Sequence, residues 1–289
     1  MRFDSDAMTI TPFTEVAERF PVIFFDSYGV LRNHRGPIPN AIPTVEALMR
    51  AGKHVRVLTN NAARSPKAAA ERMADYGMHF IGEDKIITSG ATTRHFLEQK
   101  VKRGKVAYLG TRASADYIIG AGLEAIPISA VDFGNLDAIG AVAFLDDEGY
   151  DMNTDINLLI NLLRNCQVPV VVANTDLLYP TNANDVALAT GSIARLAEYV
   201  LGRKFVKFGK PASQMFQMAL DSVALEMPEV CPADILMVGD TLHTDILGGN
   251  TYGVSTALVL SGNTRPESAA TEIAASGIIP DFVSKSIGE

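Results

Sequence analysis

The chain has 289 residues, 47% hydrophobic and 20% charged, with a formal net charge of −8 at pH 7. This is a globular composition with ample core, and its acidic balance argues against a nucleic-acid or anionic-membrane surface. An anionic substrate stays open, because a metal and one or two basic groups can reverse the field inside a cleft. No segment reaches the roughly 18 consecutive apolar residues needed to span a bilayer, and Met1-Arg2-Phe3-Asp4-Ser5-Asp6 contains no apolar signal core. Cys166 and Cys231 are too few for a disulfide framework or a zinc site. A cytoplasmic protein with two buried free thiols is the expectation.

Short apolar runs alternate with helical patterns along the chain, the signature of a parallel sheet covered on both faces. The first strand is expected at Val22–Phe25, and Ile42–Ala51 reads as an amphipathic helix stopped by Gly52. His54–Leu58 reads as the next strand. Ser65-Pro66 then opens a helix, Ser as N-cap and Pro at the first helical position, that stops at Gly77. Further strands are expected at Lys105–Leu109, Ala138–Leu145, Val168–Ala173, Ile235–Val238 and Ser255–Leu260, with helices at Asp155–Asn165 and Ser192–Leu201. The block from about Gly104 to Leu188 is long enough to be an inserted α/β domain with its own core. Continuation of a single sheet is the other arrangement that composition allows.

Val22-Ile23-Phe24-Phe25-Asp26-Ser27-Tyr28-Gly29 is an apolar run that ends on a carboxylate and a glycine turn. Asp26 therefore lies just past the carboxyl end of a buried strand, where open α/β sheets bind ligands. It could be a nucleophile, a metal ligand or a helix cap. After the second strand, Thr59-Asn60-Asn61 forms a neutral donor cluster suited to a phosphoryl group or to ordinary turn capping. In Phe205-Val206-Lys207-Phe208-Gly209-Lys210-Pro211, Lys207 reads as a solvated surface lysine. Gly209 and Pro211 fix the backbone of Lys210, giving its ammonium a defined origin. Ile235 to Ile246 repeats the opening logic: an apolar strand, Gly239, Asp240, and a second carboxylate at Asp245, with His243 a loop histidine. Asp26, Asp240 and Asp245 together make a hard oxygen site for Mg2+.

In this order the motifs resemble the haloacid dehalogenase (HAD) superfamily of aspartate-nucleophile hydrolases. The closer likeness is to its class IIA branch of sugar-phosphate, p-nitrophenyl-phosphate and related phosphatases. Gly36-Pro37-Ile38-Pro39-Asn40-Ala41, Thr59-Asn60-Asn61, Gly209-Lys210-Pro211 and Gly239-Asp240-Thr241 with Thr244-Asp245 carry that likeness. The resemblance implies an α/β fold: a Rossmann-like core with a parallel sheet (residues 1–103 and 189–289) and an inserted α/β type-2 cap (residues 104–188). It implies that Asp26 attacks phosphorus, that Lys210 neutralises charge, and that Thr59, Asn60 and Asn61 hold the transferring group. Mg2+ would bind Asp26, the Tyr28 backbone carbonyl, Asp240 and Asp245, the last directly or through water. Asp176 and Tyr179, in a segment resembling the specificity loop of the cap, would touch the leaving group. A homodimer acting on a small phosphorylated substrate is expected by the same analogy.

One position departs from the pattern. Phosphatases of this superfamily carry an acid–base Asp two residues after the nucleophile, and here that residue is Tyr28. A phenol is a poor base at neutral pH, though it can donate a proton. Two other readings follow from the change: a phosphate-ligand-binding or regulatory protein with little turnover, and a 2-haloacid dehalogenase, whose opening motif Asp-x-Tyr-Gly resembles. The paired Asp240 and Asp245 argue against the dehalogenase, which needs no metal.

Overall fold

The computed structural model describes residues 9–182 and 185–289. In chain order its strands are β1 (Val22–Phe25), β2 (Arg32–Asn33), β3 (Gly36–Pro37), β4 (His54–Thr59), β5 (Ile86–Thr88), β6 (Lys105–Leu109), β7 (Ala125–Pro127) and β8 (Ile139–Phe144). They continue with β9 (Val170–Val172), β10 (Leu178–Pro180), β11 (Val186–Leu188), β12 (Val206–Lys207), β13 (Ile235–Gly239), β14 (Ser255–Val259) and β15 (Phe282–Ser284). The chain divides into two compact units, one of Met1–Thr59, Ala69–Ile87 and Lys210–Glu289, the other of Asn60–Ala68 and Thr88–Gly209. The second unit is wider on both sides than the 104–188 block expected from sequence.

The first unit is built on a six-stranded sheet of order β15-β14-β13-β1-β4-β5. β1 runs parallel to both neighbours, with Phe25 opposite Val238 on one side and Val57 on the other. All four side chains of β1 are buried. Because alternate side chains leave opposite faces of a strand, Ile23 and Phe25 pack with Phe13, Leu31 and Val238, whereas Val22 and Phe24 pack with Met215, Phe216 and Ala219. Two apolar faces explain the unbroken run, and each buried Phe contributes about 1.5–3 kcal/mol. The chain leaves β1 towards β4 on one side and β13 on the other. The strand order therefore reverses at the carboxyl end of β1, the usual place for a ligand crevice in such sheets.

The second unit repeats the principle in a five-stranded parallel sheet of order β12-β9-β8-β6-β7. Leu109, Val142 and Phe144 face one cluster, and Val106, Tyr108 and Ala143 the other. A separate hairpin pairs β10 antiparallel to β11, Leu178 opposite Leu188.

Two twelve-residue helices lie outside the sequence expectation, as do the shorter Phe13–Ala17, Asp116–Gly120 and Ala269–Ser276. Ser89–Lys100 buries Ser89, Gly90, Thr92, Thr93 and Leu97, so its inner face is polar over the first turns and carries one fully buried apolar side chain rather than a stripe. Ser213–Ala224 does carry one, at Met215, Phe216, Ala219 and Val223. The thiols also differ from expectation, because Cys166 is buried but Cys231 is exposed in a loop beside Asp234. Lys207 is only half-exposed, since it pairs at 2.7 Å with the buried Glu198. Among the described residues no helix is long and apolar enough to cross a membrane.

Candidate active site

Register brings the first two acids together. Asp26 follows β1 and Asp240 follows β13. The pairing of Phe25 with Val238 is extended by a hydrogen bond from Asp26 N–H to the Val238 carbonyl at 2.8 Å. Asp245 arrives by a different route. Leu242–Ile246 forms a π-helical turn in which Asp245 N–H donates to the Thr241 carbonyl at 3.0 Å. This wide turn, a shape often found at functional sites, folds Asp245 back so that its Oδ2 accepts from Thr241 N–H at 3.1 Å. Lys210 enters from the start of the last segment of the first unit. Its Nζ pairs with Asp26 Oδ1, lies 2.7 Å from Asp245 Oδ1 and donates to the Leu58 carbonyl of β4 at 2.9 Å.

These groups are withdrawn from water: Lys210 is 1% exposed, Asp245 1%, Asp240 2% and Asp26 9%. Burial alone would lower the Lys210 pKa, but Asp245 and Asp26 outweigh it and hold the ammonium above its ordinary value. Asp240 is in the opposite position. Burial first, then Asp26 and Asp245, push its carboxyl well above the usual carboxylate range, against hydrogen bonds from Asn263 N–H (2.6 Å) and Thr241 Oγ1 (3.0 Å). Two carboxylates, Asp26 and Asp245, thus share one ammonium, with the third acid beside them. One oxygen from each of Asp26, Asp240 and Asp245 lies within 4.8 Å of the others, a donor set of hard oxygens that fits a divalent cation such as Mg2+. Glycines make the approach possible. A Cβ on Gly29, whose φ is +88°, would fall 2.1 Å from Asp240 Oδ2, and one on Gly262 would fall 1.9 Å from the same atom.

Tyr28 lies in the closed turn that follows Asp26. Its hydroxyl is buried without a hydrogen bond of normal geometry. Burial raises the phenol pKa above 10, opposed by Arg32 and the nearby His34 N–H and assisted by Asp240. Thr59 ends β4, two positions beyond the Val57 that pairs with Phe25. His243 is exposed in the turn.

The remaining expected residues belong to the second unit. Asn60 is buried, and its Nδ2 donates to Asp176 Oδ1 at 2.9 Å and Thr175 Oγ1 at 3.4 Å. Asn61 Oδ1 accepts from Ala63 N–H at 2.9 Å, an Asx turn. Tyr179 sits in β10, half-buried, its phenol pushed up by burial and by Asp147, Glu148 and Asp146. The structure thus gathers Asp26, Lys210, Asp240 and Asp245 in one unit and pairs Asn60 with Asp176 in the other. Two contributors are absent from the sequence expectation: Asn263, which donates to Asp240, and Gly262, which makes room for it. A Gly-Asn pair just after the strand Ser255–Leu260 is their only sequence signal.

Comparison with known proteins agrees with this architecture. Residues 23–124 match the family described as haloacid dehalogenase-like hydrolase, and residues 207–289 match the HAD-hydrolase-like family. A crystal structure described as a possible sugar phosphatase of the HAD superfamily from Cytophaga hutchinsonii superposes with a TM-score of 0.93. It is 44% identical in sequence, with 98% of this chain and 99% of that chain covered. The p-nitrophenyl phosphatase from Archaeoglobus fulgidus superposes with a TM-score of 0.78 at 26% identity, over 93% and 97% of the two chains. Human chronophin is 29% identical over 95% of this chain and 93% of its own length. With two family matches and a relative at 44% identity over nearly its full length, the chain belongs to the HAD superfamily of haloacid dehalogenase-like hydrolases, in its class IIA branch.

Proposed function

We propose that this protein is a Mg2+-dependent phosphatase that hydrolyses a small phosphorylated metabolite through an aspartyl-phosphate on Asp26. One observation carries the reading: the Asp26 carboxylate is buried against Lys210 with Asp240 and Asp245 beside it. The p-nitrophenyl phosphatase and the possible sugar phosphatase among its relatives support a phosphomonoester as substrate.

In this reading an Asp26 oxygen attacks phosphorus, the bond to the leaving oxygen breaks, and the leaving oxygen takes up a proton. Water then cleaves the acyl-phosphate and regenerates the carboxylate. Splitting one hard hydrolysis into two steps is the gain of covalent catalysis. Lys210 holds Asp26 in place and offsets the repulsion between a carboxylate and a phosphate dianion. Bound by Asp26, Asp240, Asp245 and the Tyr28 carbonyl, Mg2+ would neutralise developing charge on the phosphoryl oxygens. Thr59, Asn60 and Asn61 are assigned to the transferring group, and Asp176 and Tyr179 to the leaving group. In this assignment the first compact unit is the hydrolase core and the second, wider than the 104–188 block expected from sequence, is the cap.

Tyr28 qualifies the rate. Its neutral phenol can give a proton to a leaving group but is a poor base for the attacking water, so good leaving groups are favoured. The same substitution favours a second reading, a phosphate-ligand-binding protein with little turnover. Hydrolysis of p-nitrophenyl phosphate separates the two. Turnover that needs Mg2+, stops with chelator and disappears in Asp26→Asn is the expected result. Tight binding of phosphorylated metabolites without turnover would favour the second reading, and metal-independent halide release from 2-chloropropionate would contradict both.

A further inference from the structure

A guanidinium without a counterion lies one turn away from the nucleophile. Residues 27–32 close on themselves: the Ser27 carbonyl accepts from Leu31 N–H at 3.0 Å and Arg32 N–H at 3.1 Å, and Gly29 N–H donates to the Arg32 carbonyl at 2.7 Å. Arg32 then begins β2, where pairing with Pro37 of β3 holds its backbone. The guanidinium carbon sits 5.3 Å from the Tyr28 ring centroid and 5.9 Å from that of Tyr76, and Arg72 lies 5.8 Å from the Tyr76 ring. Tyrosine and arginine alternate outward from the position two residues after Asp26, all within the first unit.

Among the described residues, Arg32 is the only partly or fully buried Lys or Arg side chain with neither a carboxylate nor another oxygen acceptor. The others range from Lys53 on the Phe20 carbonyl to Lys210 on Asp26. Ring faces attract a guanidinium but cannot accept its five N–H donors in their plane. Burial lowers the Arg32 pKa and Arg72 adds to this, while Tyr76, Asp26 and Tyr28 pull it back, so the group feels the charge of the nucleophile. The adjacent Tyr28 hydroxyl is buried as well, with the His34 N–H nearby but no hydrogen bond of normal geometry. A partly desolvated charge held only by ring faces is costly to keep. Here the two rings fix it in one orientation, which is how an anion-binding fork is made ready before its ligand arrives.

We propose that Arg32 receives a second anionic group of the substrate, a carboxylate or phosphate borne by the leaving group, so that the preferred substrate is a phosphomonoester with two acidic ends. The proposal rests on the phosphatase reading and narrows it. The scissile phosphate has Lys210 and the carboxylate-bound cation; Arg32 serves the other end.

The test uses three probes of matched length: propyl phosphate, 2-carboxyethyl phosphate and 1,3-propanediol bisphosphate. The wild-type protein with Mg2+ is expected to favour one or both charged probes over propyl phosphate by about 30-fold in kcat/KM. Which charged probe wins tells carboxylate from phosphate. Arg32→Met should collapse that ratio to within about threefold of unity, and Arg32→Lys should restore part of it. A wild-type preference for propyl phosphate would overturn the proposal, as would an equal loss on all three probes in Arg32→Met. The wild-type comparison stands even if a variant fails to fold. Calorimetric binding of the same probes is measured in parallel. Absence of turnover would then count against the phosphatase reading, while the binding ratio still decides for or against Arg32.

Discussion

The two sheets are built alike, yet among the described residues only one gathers acids around a buried lysine. In the second unit, acids also follow a central strand: Asp146 and Asp147 come just after β8. Asp146 accepts from Thr111 Oγ1 at 2.7 Å, and Asp147 accepts from Thr190 Oγ1 at 2.6 Å as well as from its N–H. Hydroxyls and backbone answer those carboxylates, and no ammonium pairs with them among the described residues. In the first unit the strand-end acids answer one another and a single buried lysine. The same architecture therefore yields a capped turn in one place and an electrostatically loaded site in the other, and chemistry follows from the residues rather than the fold.

Removing the lysine tests that contrast most severely. Lys210→Met should lower turnover of p-nitrophenyl phosphate by about 10²-fold or more and, without metal, cost about 3–5 kcal/mol of stability by leaving buried carboxylates unpaired. Denaturant unfolding with and without Mg2+ checks it, and added Mg2+ should return part of the loss. A fully stable, fully active variant would erase the distinction between the two sheets.

Tyr28→Asp sharpens the contrast within the loaded site. Supplying the missing acid–base group should raise hydrolysis of alkyl phosphates by about 10²-fold and of p-nitrophenyl phosphate much less. Equal effects on both leaving groups would show that this position does not govern leaving-group protonation.

Asp147→Ala probes the other sheet. Leaving the Thr190 N–H and hydroxyl without their acceptor should cost about 1–3 kcal/mol, and Mg2+ should return none of it. Restoration by Mg2+ would mean that the second unit also holds a cation.

A smaller effect concerns pH. The Asp240 pKa in the metal-free fold is raised above its ordinary 3.8. Its contribution to stability is therefore complete below that value and is lost as pH rises through the elevated one. Mg2+ must displace this proton to bind, so the increase in melting temperature on adding Mg2+ should be larger at pH 7.5 than at pH 5. An increase that shrinks over that interval would argue that Asp240 does not face the ion.

Much of the first unit was legible because β1 and β13 are apolar on both faces and end in polar residues, a contrast that survives in one dimension; β4 was legible from Val55, Val57 and Leu58 despite the buried Arg56 between them. Lys210, set between Gly209 and Pro211, and the spaced pair Asp240 and Asp245 were legible from local sequence as well. The pairing of Asn60 with Asp176 was not, since it joins residues 116 positions apart with no pattern to announce it. Nor was the helix Ser89–Lys100, whose buried face is polar apart from Leu97. The stacking of Arg32 between Tyr28 and Tyr76 depends on a closed turn whose hydrogen bonds leave no compositional trace.

The most direct test of the central claim is to stop the reaction in acid while substrate is being consumed and to identify the modified peptide by mass. The account predicts one added phosphoryl group on Asp26, labile to hydroxylamine and absent from Asp26→Asn. Steady turnover with that peptide unmodified, or with the phosphoryl group on another side chain, would contradict it.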